Sequence, residues 1–137
     1  MSAFFDISAA LDARLNTMVG VPSVAWPNTE FTPVDCTLYV RPTVLMGVVE
    51  RETVGATAKD WYNGIYQIDV FAPVGKGKKE GLEMADTIAD QFKRGTELTY
   101  NGRTVRILGV AYSSAASGDS FTQTPVTIEF YSLTEER

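Results

Sequence analysis

The chain reads as α+β, a mainly antiparallel β-sheet with two α-helices packed on one face, in a single domain over residues 1–137. Three observations lead there. Apolar residues recur at steps of three and four in two separate windows, as in amphipathic helices. Period-two alternation fills other stretches, most cleanly residues 61–72. The resulting order is helix, strand, strand, helix, strand, strand, strand, without the regular βαβ alternation of a parallel sheet.

The first helix is expected over residues 3–18. Phe4, Ile7, Leu11, Leu15 and Met18 draw its apolar stripe, and Asp6, Asp12, Arg14 and Asn16 fall mainly on the other side. Ser2 is a candidate N-cap, and Gly20 a stop signal ahead of Pro22. Residues 20–35 are irregular. Pro22, Pro27 and Pro33 remove backbone donors and push their predecessors toward extended conformations. Val24, Trp26 and Phe31 mark an ordered connection, because a disordered linker is poorer in large apolar groups.

Residues 37–49 are rich in β-formers, with Pro42 implying an edge strand, a bulge or two short strands. Residues 50–60 are polar, contain Gly55 and predict a loop or hairpin tip. In residues 61–72, Tyr66, Ile68, Val70 and Ala72 are the core-facing set, alternating with Ile65, Gln67, Asp69 and Phe71. Pro73 ends that strand. The second helix starts near Lys78, buries Leu82, Ala85, Ile88, Ala89 and Phe92, and is capped by Gly95. Asn101-Gly102, between Leu98-Thr99-Tyr100 and a strand from Thr104 to Leu108, supplies the two positive φ values of a tight hairpin. Residues 112–119 form a Ser/Ala/Gly loop. A last strand over 122–131 turns Val126, Ile128 and Phe130 inward, and residues 134–137 read as a frayed tail.

Composition narrows function by exclusion. A domain of 137 residues buries roughly two-thirds of its unfolded surface, enough for one core. Twelve basic and seventeen acidic residues give 12 − 17 = −5, so the surface as a whole repels phosphate backbones and specific nucleic-acid binding is not expected. No apolar run reaches the ~20 residues of a membrane span. Cys36 is the only cysteine and reads as a small buried hydrophobe. Histidine is absent, which removes the commonest general base and metal ligand, so neither a metal nor a cofactor is expected.

One motif invites a phosphate-binding reading. Gly75-Lys76-Gly77-Lys78-Lys79 sits between a strand and a helix N-terminus, yet no Gly stands five positions before either Gly-Lys pair, and no Ser or Thr follows. The loop is then a tight turn with solvated lysines, a protein contact or a generic anion site. Carboxylates at Glu80, Glu83, Asp86 and Asp90 have the spacing of a solvated helix face, with no catalytic partner. Trp26 and Trp61 are large anchors for packing or for an assembly interface, and residues 50–62 have the length and polarity of an arm.

Several ordered motifs together resemble the bacteriophage tail terminator-like family. They are Leu11-Asp12-Ala13-Arg14-Leu15, Ala25-Trp26-Pro27-Asn28-Thr29, Phe31-Thr32-Pro33 and Tyr39-Val40-Arg41. They continue with Gly64-Ile65-Tyr66-Gln67-Ile68-Asp69-Val70, Ala72-Pro73, Gly75-Lys76-Gly77, Ala85-Asp86, Phe92 and Pro125-Val126-Thr127-Ile128. The resemblance implies a structural virion protein, not an enzyme. It implies a ring, usually of six copies, at the head-proximal end of the tail tube, which stops tube polymerisation and receives the head-completion protein. Assembly would occur in the host cytoplasm, with no membrane partner and with DNA passing through the ring. No catalytic residues carry over. A ring needs one patch to meet a different patch; here Lys76, Lys78 and Lys79 are expected on one side, and an acidic surface with Glu50 and Glu52 on the other. Two other classes remain: a connector or adaptor of the tail or neck, and a small enzyme or anion-binding module centred on the lysine loop.

Overall fold

Two long alternating strands organise the molecule. The computed structural model describes residues 3–18, 20, 22–33, 37–47, 50–51, 59–75, 79–113, 116–118 and 121–135. Strands β1 (Ser23–Val24), β2 (Tyr39–Met46), β3 (Glu50–Arg51) and β4 (Lys59–Pro73) precede helix α2 (Lys79–Gln91), and helix α1 (Ala3–Asn16) precedes them all. Strands β5 (Glu97–Tyr100), β6 (Arg103–Tyr112), β7 (Ala116–Ser117) and β8 (Phe121–Glu135) follow. The sheet order is β1-β2-β4-β8-β6-β5, with β3 on β4 and β7 on β8; every pairing is antiparallel except β1 with β2. At its centre β4 and β8 pair without interruption from Lys59↔Glu135 to Pro73↔Phe121.

The α+β expectation holds. Tyr66, Ile68, Val70 and Ala72 of β4 are buried, as are Val126, Ile128 and Phe130 of β8, and register places them beside one another. Ile7, Leu11, Leu15 and Met18 from the first helical segment join Ala85, Ile88 and Phe92 from the second in the same core cluster. Both helices therefore cover one face of the sheet.

Several local expectations are corrected. Phe4 is half exposed instead of packed, while Asp6, expected on the outer side, is buried. The β5–β6 hairpin explains the swap: Asp6 accepts from Asn101 Nδ2 at 3.3 Å and pairs with Arg103 Nε at 3.4 Å, so a carboxylate finds partners where a ring would find a polar turn. Asp12 likewise turns inward, accepting the Tyr66 hydroxyl at 2.6 Å. On α2, Leu82 is exposed, and Gly81 is buried in its place. A Cβ at Gly81 would lie 3.3 Å from Ala72 Cβ, so the small residue lets the helix sit close on β4 and turns Leu82 outward.

Pro42 lies within one continuous strand, buried, where β1 has already stopped covering β2 beyond Val40. That is the edge position its missing N–H requires. Of residues 50–60, expected as a loop or hairpin tip, the ends form a hairpin: Glu50 pairs with Trp61 and Arg51 with Asp60, and residues 52–58 lie outside the described residues. Residues 112–119 contain β7, and β8 runs on through Thr134 and Glu135, which were expected to fray. Asn101 and Gly102 have φ of 54° and 79°, as the hairpin turn demands. The candidate cap Ser2, together with Cys36 and Gly55, lies outside the described residues.

Strand β6 continues past Leu108 because of a bulge. Register shifts between Ile107 and Gly109, leaving Leu108 as the extra residue. Val105 and Ile107 face the core before it; Val110 packs against the core after it. The parity change also brings Tyr112 to the helix side, where its hydroxyl donates to Asp86 at 3.0 Å.

Candidate functional site on the uncovered sheet face

Among the described residues no helix packs on the other face of the sheet. Alternation presents Tyr39, Arg41, Thr43 and Leu45 from β2, and Ile65, Gln67, Asp69 and Phe71 from β4, on that side. At one end stands an aromatic group. Tyr39 stacks on Phe71 with centroids 4.7 Å apart, meets Phe121 edge-on at 5.2 Å and Phe31 at 5.0 Å. The Arg41 guanidinium lies 5.1 Å from the Phe71 centroid, a cation–π distance.

Beside the aromatic group sits Asp69, only 3% exposed on a face where no helix packs among the described residues. Gln67 Nε2 donates to it at 2.9 Å and Arg41 Nη2 approaches at 3.6 Å. The carboxylate is thus held under neighbouring side chains, with its charge balanced by an arginine that remains half exposed.

At the other end the face is apolar and concave. Leu45, Ile65, Leu108 and Glu129 line a cavity of about 410 Å³, together with Gly47, Asn63 and Gly64. Gly64 is required there. A Cβ on it would come within 2.5 Å of the Leu45 carbonyl oxygen and 3.1 Å of Phe130 Cζ, so β2 and β4 approach closely only because the position is bare. Leu45 and Leu108 are 49% and 42% exposed.

On the helix side, Asp12 and Tyr66 form the most perturbed titrating pair. Burial raises the Asp12 pKa above its ordinary value, and the Tyr66 hydrogen bond partly offsets that shift. Burial, then the Asp12 charge and hydrogen bond, push the Tyr66 phenol far upward. The pair fastens α1 to the middle of the sheet and has no reacting partner. Tyr112 is also raised, by desolvation, by its bond to Asp86 and by the charges of Asp86 and Asp90. Among the described residues no group of acidic or sulfur side chains is arranged to hold a metal ion, and no helix is long and apolar enough to cross a membrane.

The residues singled out from sequence fall in three places. Trp26 is half buried, packs against the core and borders a cavity with Asp12, Ala13 and Asn16. Glu50 and Trp61 are cross-strand partners at the outer end of β4. Lys79 is the exposed first residue of α2, beyond the opposite end of β4. Glu52, Lys76 and Lys78 lie outside the described residues, as do the side chains of Glu50 and Trp61. The length of β4 separates Lys79 from the Glu50 strand. Sequence reasoning, which places both helices on one face, missed the apolar and aromatic character of the other. The signal was present in β4: the outward set contains Ile65 and Phe71, which are apolar residues on a side with no helix.

Aromatic and apolar surfaces left open among the described residues are of the kind that protein contacts use. Residues 6–130 match the family described as phage tail terminator protein, and the chain belongs to that family. It is accordingly a structural protein of the phage tail. The fold is also shared with solved structures. One chain, which carries no functional name, superposes with a TM-score of 0.75 at 24% identity, covering 100% of this chain and 99% of its own. A second, in the virion of a native gene transfer agent particle, gives a TM-score of 0.55 at 16% identity over 98% of each chain. Comparison with curated proteins gave no match.

Proposed function

We propose that this protein closes into a ring, hexameric in the manner the family resemblance implies, on the head-proximal end of the tail tube. There it stops tube polymerisation and offers the surface that the head-completion protein joins. The observation that carries this reading is family membership across residues 6–130. The open sheet face supports it, since an uncovered apolar and aromatic surface favours contact with another protein. A related fold in a gene transfer agent virion is consistent with use inside a particle. The role is structural and needs neither cofactor nor catalysis. Its partners are further copies of itself, the tail tube protein and the neck protein, met in the host cytoplasm during assembly. A net charge of −5 lets DNA pass a ring of such subunits without adhering.

The test is native mass across a concentration series, combined with addition of the protein to polymerising tail tubes. Six copies of 15.0 kDa, 6 × 15.0 = 90 kDa, with a central hole and tubes halted at the capped end, are the expected result. A chain that stays monomeric and leaves tube growth unchanged overturns the reading.

A further inference from the structure

We infer that the outer edge of β6 pairs with the outer edge of β2 from a second copy of this chain, as adjacent strands of one sheet. The inference rests on the ring reading and names the contact that closes it. Both edges are partly open. Strand β1 covers β2 only at Tyr39 and Val40. Strand β5 covers β6 from Arg103 to Arg106, and Ile107 N–H still donates to the Thr96 carbonyl at 2.9 Å. Among the described residues no strand pairs with the outer side of β2 from Arg41 to Met46, or with that of β6 from Leu108 to Tyr112.

The two open stretches lie at one level of the sheet. Across β4 and β8, register carries Pro42 to Tyr112, Val44 to Val110 and Leu45 to Gly109. Strand β1 closes its edge at a level where β6 has already ended, and β5 closes the other where β2 has ended. Direction fits as well. Each step from β2 through β4 and β8 to β6 is antiparallel, so β2 and β6 run in opposite directions. Rotation about an axis along the strands then sets β2 of the next copy antiparallel to β6, a heterologous contact that builds rings.

The backbone groups also point the right way. Ala25 N–H donates to the Val40 carbonyl at 2.8 Å, so Val40, and by alternation Pro42 and Val44, direct their backbone groups outward. Ser113 N–H donates inward, to the Pro125 carbonyl at 3.1 Å, which leaves Tyr112 and Val110 directed outward. Val44 of one copy and Val110 of the next exchange both their hydrogen bonds. Tyr112 N–H donates to the Pro42 carbonyl, and the donor that proline lacks ends the ladder there. The bulge at Leu108 ends it on the other side.

Side chains select a second copy as the occupant. Solitary edges are commonly guarded by charged residues, yet residues 42–46 and 108–112 contain none. Gly109 is an independent sign. A Cβ there would meet nothing within 4 Å and its φ is not left-handed, so the subunit alone does not require glycine. In the joined sheet the half-exposed Leu45 of the next copy lies opposite that bare position, beside Leu108.

The experiment uses the full chain in a Cys36→Ser background. Register sets Thr43 of one copy opposite Ala111 of the next as a close pair without mutual hydrogen bonds. Mixing Thr43→Cys chains with Ala111→Cys chains under mild oxidation is expected to give a cross-linked dimer that neither variant gives alone. Val110→Pro removes the outward donor and leaves the β6–β8 bonds in place. It is expected to move the assembly midpoint in native-mass titration to at least about tenfold higher concentration, with thermal unfolding checking that the variant is folded. Rings that form without the mixed cross-link, or with an unmoved midpoint in folded Val110→Pro, overturn this contact and leave the ring reading standing. A wild-type chain that is monomeric at every concentration, with and without tubes, overturns both.

Discussion

Strand β4 presents two faces made from the same fifteen residues, and they have different fates. Tyr66, Ile68 and Val70 disappear beneath two helices, whereas Ile65, Gln67 and Phe71 stay half buried on the side that no described helix covers. The covered face is chemically uniform, because burial rewards apolar area of almost any shape. The open face is heterogeneous: a stacked aromatic group, a shielded Asp69–Arg41 pair and an apolar hollow follow one another along it. Folding needs only the first face. The second is a surface whose chemistry makes sense against another protein.

That contrast is open to direct attack. The largest effect is expected from Ile68→Ala, which deletes a fully buried side chain and should cost about 2–5 kcal/mol in chemical denaturation. Next comes Arg103→Ala, which leaves the buried Asp6 carboxylate with Asn101 alone; a loss of about 2–3 kcal/mol is expected in the same assay. Gly64→Ala should cost about 1–3 kcal/mol, since the new Cβ meets backbone that cannot step aside. By contrast, Leu45→Ser on the open face should change stability by no more than about 0.5 kcal/mol while impairing assembly in native-mass measurements. Equal stability losses at Ile68 and Leu45 would erase the distinction between the faces.

The smallest effect is a titration. Asp12 has a folded pKa raised by burial, so between its unfolded and folded values the native state holds a proton that the unfolded chain has released. Stability from this group therefore falls as pH rises through that window and is recovered on acidification. Removing the Tyr66 hydroxyl in Tyr66→Phe takes away the bond that lowers Asp12, so its NMR titration midpoint should move still higher. A midpoint that moves down would show that the hydroxyl is not holding the ionised carboxylate.

The sequence reveals burial much better than neighbours. Period-two spacing in β4 and β8 identifies the core face, because side-chain alternation is a local consequence of extended backbone. Asn101-Gly102 reveals its turn for the same local reason. Asp6 and Leu82 defeat the helical stripes because their placement depends on distant residues: Arg103 on a hairpin for one, and the close seat of Gly81 on Ala72 for the other. The bulge at Leu108 is invisible to a period count, since one inserted residue exchanges the faces of everything after it. The open face was legible only as an unexplained remainder, Ile65 and Phe71 pointing away from both helices. Trp26, left open in sequence between packing and interface, packs against the core at the rim beside α1.

The uninterrupted β4–β8 ladder has a mechanical consequence. Fifteen paired residues with a rise of about 3.4 Å form a beam about 48 Å long, cross-braced by hydrogen bonds along its length. The Pro73–Phe121 end and the Lys59–Glu135 end are then two tips of one stiff lever. A partner that tilted one tip by a few degrees would displace the other by ångströms.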